Sequence, residues 1–564
     1  MLKKLKYTFY IFLLFPFSLA AMDLSRTSDP VYKDIQDWAT RGLIHGVPNF
    51  RPYPLVLVQS WLNEVIEKGN SEDVLRAQGY MSEISPELKP HYRVFHSSLF
   101  AVGYPNHDYD GTTGFYFTHN GYFSENVGFS GFFGALGIDW ATLTAYPEGQ
   151  ATSFDFIMDD SSVEVLGRNY LLALSSGGVL SFGTPDLYAQ VGINRHGFGP
   201  FSDGVVFSPS AKEAASVNFT WRTENLIYTK YLLALNASKD NNSLPITNSG
   251  AFYPDKFLSG HSFQFFLWDF LELSFYENIV FGQRLDPYYL IPVLPLLYSS
   301  IYTGLHDNIL VGGTLVLRLP WAIRTAFQFH ADDLSFLKLF AGQLDGKSKI
   351  AAQAGLEWIP DLGILHGIEV GYSLATPYTF THSREFIQGG DADQSLINYV
   401  NYTHGGSGLV SLEPNSDRFD AALNLYLNPQ LEVRFTGRIQ RHGNASDDGY
   451  TVLSEDFIGT TDGGFNDSGY ISPGGDHKFN TNRFLNQAII ETLYQFGFQY
   501  SLGLNTPIGE ARIKGGFLFE YGKNRRANPM TGAVGTASFS NDSVPVLGND
   551  GTRNYVTIEV SFQL

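Results

Sequence analysis

The chain has 564 residues, a formal net charge of −19, aromatic residues at 15% and no cysteine. The missing thiols exclude disulfides, thiolate metal sites and a cysteine nucleophile. The negative balance disfavours nucleic acid as a partner, although local basic patches leave room for an anionic ligand.

Lys3, Lys4 and Lys6 precede an almost wholly apolar stretch, Tyr7 to Phe17, and Ser18 and Ala20 suit a small-residue cleavage site. Residues 1–20 read as a signal peptide, with a mature start near Ala21. An N-terminal membrane anchor would need roughly 20 apolar residues. Removing three lysines leaves 37 − 3 = 34 basic against 56 acidic residues, a net charge of −22. The richest later apolar run, Tyr288 to Tyr298 (YYLIPVLPLLY), is short and holds two prolines. A helical inner-membrane protein is therefore disfavoured, which leaves the periplasm, an outer membrane or the medium.

Residues 21–90 predict a small helical domain. In Val31 to Ile44, the side chains of Ile35, Trp38, Ala39 and Leu43 lie near one helical face, and Gly42 and Gly46 punctuate the end. Leu55, Val58, Leu62 and Val65 repeat at helical spacing, with Pro54 suited to the first helical position. A third helix is expected over Ser71 to Glu83. The unit is too small for a large core of its own and is expected to rest on something else.

From residue 91 to 564 the texture is strands and turns. Phe115 to Gly137 is rich in aromatics and glycine. Ala421 to Arg441 is the clearest hairpin: Leu423, Leu425 and Leu427 alternate with Asn424, Tyr426 and Asn428, Asn428-Pro429-Gln430 turns the chain, and Leu431, Val433, Phe435, Gly437 and Ile439 alternate with Glu432, Arg434, Thr436, Arg438 and Gln440. A soluble sandwich would put the polar face in water and a barrel would put it in a lumen, so the alternation leaves both open. Ile350 to Trp358 with Gly363 to Ala375 makes another hairpin, and Phe484 to Asn505 and Arg512 to Tyr521 supply two long strands. Ser383 to Arg418 and Gly443 to Asn482, rich in Gly, Asn, Asp and Ser, are expected to be long surface-exposed loops.

The final residues, Tyr555 to Leu564, have period two, with Val556, Ile558, Val560, Phe562 and Leu564 on one face, as in the closing strand of a barrel. The strand ends on Leu564 and not on a terminal aromatic. The 32 Tyr and 46 Phe suit membrane-interface girdles, while a mean hydropathy of −0.09 does not separate a soluble protein from a barrel. At roughly ten residues per spanning strand plus connections, the region from 91 onward accommodates about 16–18 strands. The expected fold is an all-β transmembrane barrel of about 16–18 antiparallel strands with a small N-terminal helical periplasmic domain.

Five segments then carry a family likeness. Val191 to Ala211 (VGINRHGFGPFSDGVVFSPSA) offers Arg195, His196, Gly199, Pro200, Asp203, Gly204 and Ser208. His261 to Pro292 offers Glu277, Arg284, Tyr288 and Pro292. Ala331-Asp332-Asp333, the run Thr376 to His382 (TPYTFTH) and His404 to Phe419 follow. In this order they resemble the Wzi-like outer-membrane β-barrel proteins of capsule assembly, over most of residues 30–420. The resemblance implies a protein of the cell outer membrane that binds polysaccharide in surface glycan or capsule attachment, is not an enzyme and uses no cofactor. Its implied partners are outer-membrane lipid, surface polysaccharide and periplasmic envelope proteins. The implied ligand-binding residues are Arg195, Glu277, Arg284, Asp332, Asp333, Tyr378 and His382.

The chemistry of those residues leaves choices. Arg195 and Arg284 can grip carboxylates or phosphates through fork-like bonds, or form salt bridges to Glu277, Asp286 or another acid. Asp332 and Asp333 can pair with arginines, ligate a cation or end a strand, and a calcium site would need six to eight oxygens. His382 and His404 flank a long loop and suit local hydrogen bonds better than a metal. Tyr378 and Phe380 can stack on sugar rings or pack internally. No GxSxG, HExxH, phosphate-loop or EF-hand motif occurs. The competing readings are a channel or transporter for small or hydrophobic solutes, and an outer-membrane enzyme acting on lipid or glycan.

Overall fold

The computed structural model describes residues 30–84 continuously and, with breaks, residues 91–145, 162–173, 178–239, 256–332, 349–380, 397–443 and 484–563. Three helices lead: α1 (Pro30–Thr40), α2 (Leu55–Lys68) and α3 (Ser71–Ile84). The first stops four residues short of Ile44, because the chain reverses through Gly42 at φ 74°, a conformation that costs a glycine little. Pro54 is the residue before α2 and not its first, extended at φ −67° and ψ 146°. Trp61, Leu62 and Val65 of α2 pack on Ile35 and Trp38 of α1 and Ala77 of α3. The side-chain oxygen of Asn70 caps α3 by accepting from the Glu72 and Asp73 N–H groups.

One large antiparallel sheet dominates the rest of the architecture, with a few small two- and three-stranded sheets beside it. Its strands are β1 (His91–Gly103), β2 (Gly114–Phe129), β3 (Phe133–Trp140), β4 (Gly178–Gly183), β5 (Leu187–Asn194), β6 (Ala214–Arg222), β7 (Leu226–Leu235), β8 (Lys256–Trp268) and β9 (Leu271–Gly282). They continue as β10 (Asn308–Leu319), β11 (Ile323–Asp332), β12 (Lys349–Trp358), β13 (Leu365–Ala375), β14 (Ser416–Asn428), β15 (Leu431–Gly443), β16 (Ile490–Thr506), β17 (Gly509–Lys523) and β18 (Gly551–Gln563). Neighbours in sequence are neighbours in the sheet: β1 pairs β2, β2 pairs β3, and from β4 each strand pairs the next through to β18. The last strand returns to the first, with Val560 opposite His96 and Val556 opposite Phe100.

Burial resolves the ambiguity in the alternating pattern. On β6, Val217, Phe219 and Trp221 are 53%, 40% and 45% exposed, while Ser216, Asn218 and Thr220 between them are buried. Apolar side chains face out and polar ones face in, the inverse of a soluble sheet and the arrangement of a lipid-facing wall. The expected hairpin follows suit. In β14, Asn424 is buried on the inner face, opposite Arg434 of β15, while Leu423 and Leu425 lie on the other face.

Connections alternate in length. Tight turns join β4 to β5, β6 to β7, β8 to β9, β10 to β11, β12 to β13, β14 to β15 and β16 to β17, so they share one end, and long connections share the other. The helical unit sits at the short-turn end and rests there on inner-face polar groups. Thr40 and Gln36 donate to Glu357 at 3.2 and 3.1 Å, Lys33 reaches Glu369 at 2.7 Å, and His366 meets Asp37 at 3.0 Å. Arg76 donates to the Tyr426 hydroxyl at 2.6 Å and to Glu432 at 3.2 Å. The unit thus rests on the sheet, as its small size requires.

One loop expectation is corrected. Within Ser383 to Arg418, Tyr402, Leu409, Val410 and Leu412 are buried and join the main hydrophobic core, Thr403 is buried beside them, and Ser416 to Arg418 belong to β14. Apolar residues among the polar ones drive this part of the connection inward. Most of Gly443 to Asn482 lies outside the described residues.

Candidate functional site

Two segments meet on the inner face from opposite ends. Asn49 to Arg51 arrives from the helical unit, and its Asn49 is held by Gln264 and Ser274 of the wall. Residues 195–213, the connection from β5 to β6, fold in from the long-loop end. They join as a two-residue antiparallel bridge, Phe50 opposite Phe198 and Arg51 opposite Gly197. Gly199 N–H donates to the Asn49 carbonyl at 2.9 Å, and Arg51 donates to the Gly199 and Phe201 carbonyls. Gly199 stands at φ +94°, a backbone conformation that strains any other residue, and a Cβ there would also force the Gln328 amide to move.

Around this bridge the interior is packed with rings. Phe50 stacks on Tyr231 at 4.7 Å and on His196 at 5.3 Å. Phe207 stacks on Tyr402 at 6.1 Å, and Tyr402 on Phe380 at 5.5 Å. The Tyr402 hydroxyl donates to the Val206 carbonyl at 2.8 Å, tying the connection before β14 to the one before β6. His330 lies buried among Tyr276, Phe380 and Tyr402. Burial holds the His196 imidazole down at about 4 against the pull of the Ala214 and Arg51 carbonyls, so it is neutral at pH 7.

Beside this seal lies a row of alternating charge. Asp203 accepts from Ser208 at 2.6 Å and Ser411 at 2.5 Å, and pairs with Arg418 at 2.9 Å. Arg418 also pairs with Asp420 at 2.8 Å, and Asp420 with Arg438 at 2.6 Å. Burial alone would push the Asp203 carboxyl up, but Arg418 and the two hydroxyls hold it below the usual carboxylate value. Arg438 ends the row with its side chain 39% exposed. It presents an exposed guanidinium edge to a sugar carboxylate or phosphate, and the Ser411 and Asp203 groups offer hydroxyl-compatible partners.

The seven expected ligand residues are not gathered at one place. Asp333, Tyr378 and His382 lie outside the described residues. Arg195 pairs with Glu213 at 2.7 Å, and Arg284 pairs with Asp286 at 3.2 Å and Asp307 at 2.7 Å, so both arginines take the salt-bridge alternative. Burial would lower the Arg284 guanidinium, yet Asp307 and Asp286 raise it. Asp332 ends β11 and accepts from the Phe380 N–H at 3.2 Å. Glu277 lies on the outer face: on β9, Glu272, Ser274, Tyr276 and Asn278 point inward, and Glu277 shares the other side with Phe275, which is 61% exposed. There it meets His261 at 3.1 Å and accepts the Leu296 N–H at 2.7 Å. Of the glycine-proline segment, Asp203 and Ser208 enter the charged row and His196, Gly199 and Gly204 build the seal. Arg418, Asp420 and Arg438 were not singled out. Arg438 lies on the charge-dense polar face of the Ala421–Arg441 hairpin and Arg418 and Asp420 just before it, and only register makes them a site: Asp420 stands directly opposite Arg438. Among the described residues no group of three or more His, Asp or Glu could hold a metal ion, and no helix is long and apolar enough to cross a membrane.

Sheet, seal and helical unit together define the class: a strand-dominated protein with an N-terminal helical region and the fold of outer-membrane barrel proteins. The chain is similar to the solved structure of Wzi, an outer-membrane protein involved in group 1 capsule assembly in Escherichia coli and a carbohydrate-binding β-barrel. The two share 11% identity over 95% of this chain and 99% of that one, with a TM-score of 0.55. Looser likenesses, at 10% identity, extend to Acinetobacter baumannii OccAB1 (85% of this chain, 98% of that one, TM-score 0.40) and OccAB2 (84% and 98%, TM-score 0.42), too distant to inform the site. No protein-family model matches the sequence, and no curated protein is similar to it.

Proposed function

We propose that this chain is an outer-membrane, non-enzymatic polysaccharide-binding protein of surface glycan or capsule attachment, built on a closed transmembrane barrel. The strand order supports closure, since β3 and β4 are neighbours in it and β18 pairs β1. The inverted burial of β6 supports a lipid environment. The short-turn end with its helices faces the periplasm, where the helical unit can meet envelope proteins, and the long connections face outward.

The observation that carries the binding reading is the row from Asp203 to Arg438 beside a sealed interior. A conducting channel keeps an open path, and the clustering of Phe50, Phe198, Phe207 and Tyr402 in this interior supports binding over conduction. Arg438 supplies the accessible cation, Arg418 and Asp420 fix its position, and the Ser411 and Ser208 hydroxyls hold Asp203 in place. The carbohydrate binding described for Wzi supports the same reading.

The test is a glycan-array screen of the folded, detergent-solubilised protein, followed by titration of any hit against Arg438→Ala. Saturable binding to an acidic surface polysaccharide that weakens in the variant supports the reading. No binding to any surface glycan, with ion conductance in planar bilayers by the intact protein, overturns it in favour of a channel. Turnover of a glycan or lipid would assign an enzyme instead.

A further inference from the structure

The connection from β9 to β10 carries the sequence LDPYYLIPVLPLLYSSIYT over residues 285–303, and from Pro287 to Thr303 it holds no charged residue in a chain of net charge −19. It does not project into solvent. It folds back along the outer wall as a short 3-10 turn (Pro287–Leu290) and a helix, α4 (Leu296–Thr303). Tyr289 and Leu296 pack on Ile279 and Phe281 of β9. Ser259 donates to the Tyr289 carbonyl at 2.7 Å, the Tyr228 hydroxyl bonds the Pro292 carbonyl, and Glu277 accepts the Leu296 N–H.

This strap covers polar groups that the wall would otherwise turn toward lipid. Lys230, His261 and Glu277 are cross-strand neighbours on the outer faces of β7, β8 and β9. Lys230 is 8% exposed with no hydrogen bond to its ammonium among the described residues, and His261 is buried. The strap's own outward side is apolar and tyrosine-rich: Tyr288, Ile291, Val293, Leu297, Ile301 and Tyr302 are all exposed.

Height along the wall identifies the surroundings. At the short-turn end Trp268 and Phe270 stack at 5.6 Å, and Trp321 is exposed beside the next turn, an aromatic girdle. At about 3.3 Å per residue and a tilt of about 40°, Glu277 stands roughly 18 Å above Phe270, and Gly282 roughly 30 Å. The strap is therefore attached between the outer half of the hydrocarbon layer and the far interface. Its exposed face continues the apolar wall carrying Phe275.

We infer that residues 285–303 form a membrane-embedded strap whose tyrosine-rich outer face beds in the lipid of the outer leaflet, with Glu277 as the latch that holds it to the wall. The strap supplies the second aromatic belt, and it shields Lys230 and His261 from the hydrocarbon. This inference rests on the outer-membrane reading.

The absence of cysteine makes single-site labelling clean. Full-length Ile301→Cys, Phe275→Cys and Glu67→Cys proteins, each carrying a polarity-sensitive fluorophore, are reconstituted in phosphatidylcholine vesicles with or without acyl-brominated lipid. The label at 301 is expected to be quenched at least twofold by brominated lipid, as at 275 on the wall, while the label at 67 in α2 responds only to aqueous iodide. Quenching at 275 but not at 301 overturns the strap alone, whether the 301 label meets water or is shielded by a second copy of the chain. Quenching at neither overturns the membrane reading itself. A spin label at 301 tests the latch: Glu277→Ala is expected to raise its mobility, and Glu277→Gln, which keeps an acceptor for the Leu296 N–H, to restore it. Unchanged mobility in a Glu277→Ala protein that retains its heat-dependent gel shift removes the latch.

Discussion

Phe50 and Phe198, 148 positions apart in sequence, stand opposite each other in a two-residue antiparallel bridge on the inner face of the sheet. One belongs to the segment leaving the helical unit, the other to the connection between β5 and β6. Both are buried, with Tyr231 stacked 4.7 Å from Phe50. Truncation of Phe50 removes the ring on which His196, Phe207 and Tyr231 converge. Phe50→Ala is expected to destabilise the sealed interior by about 3–5 kcal/mol and leave a cavity. Liposome-swelling assays should register solute leakage absent from the parent protein. A tight Phe50→Ala protein would show that the bridge is not what blocks the interior.

Gly199 offers a second way into the same seal. An alanine there meets a left-handed backbone and the Gln328 amide together. Gly199→Ala is expected to cost about 1–3 kcal/mol, read as a lower temperature for the heat-dependent gel shift. Gly371 of β13, whose nearest neighbour to an added Cβ is 3.8 Å away, is the control that should tolerate alanine.

Arg76 tests how the helical unit is held. Its guanidinium lies 3.9 Å from the centre of the Tyr426 ring and pairs with Asp34 and Glu432. Burial works against its charge, yet Asp34 and its other partners raise its pKa well above the ordinary arginine value. Arg76→Ala should weaken docking by about 2–3 kcal/mol, and faster amide exchange across α1 to α3 would show it. Lysine cannot reproduce the planar stack with its paired donors, so Arg76→Lys should rescue only part.

His196 gives the seal a pH dependence of defined sign. Its folded-state pKa is about 4 against an ordinary 6.5, with burial the largest cause and nearby His404 adding to it. Between those values the unfolded chain binds a proton that the folded one refuses. The stabilisation is complete above about pH 6.5 and declines as pH falls toward 4, by about 3 kcal/mol in all. Urea unfolding followed from pH 7 to 4 should show that slope, and His196→Gln should flatten it.

Arg438 should matter to ligand where Arg195 does not. Arg195→Ala breaks a pair with Glu213 at the edge of the seal, whereas Arg438→Ala removes the exposed end of the charged row. Isothermal titration with an acidic polysaccharide hit should show about a tenfold loss for Arg438→Ala, some 1.4 kcal/mol, and little change for Arg195→Ala. The reverse order would move the site to the glycine-proline segment.

Much of the wall was legible, because a strand states its two faces in alternating residues. The hairpin from Ala421 to Arg441 was set out with its polar and apolar sides, and only their direction required burial. Glu277 shows what was overlooked. In LELSFYENIVFG, parity alone places Glu277 with Leu271, Leu273 and Phe275, off the polar face. The partners of Arg195 and Arg284 were legible as a type and, for Asp286, by number. The seal was not legible at all. Phe50 and Phe198 sit in short irregular segments whose meeting is fixed by the whole sheet, so no local pattern announces it. Tyr402, Leu409, Val410 and Leu412 are apolar points in a polar, glycine-bearing stretch, and without a regular period they name neither a partner nor an inward turn.

The alternation of tight turns and long connections bears on assembly. Each tight hairpin can form from residues close in sequence, with little loop entropy to overcome. The bridge between Phe50 and Phe198 has no such advantage. It needs the helical unit seated at one end and the β5–β6 connection folded in from the other. Strand pairing can thus run ahead of the internal bridge, and the rings around Phe50 come together only once both segments have arrived.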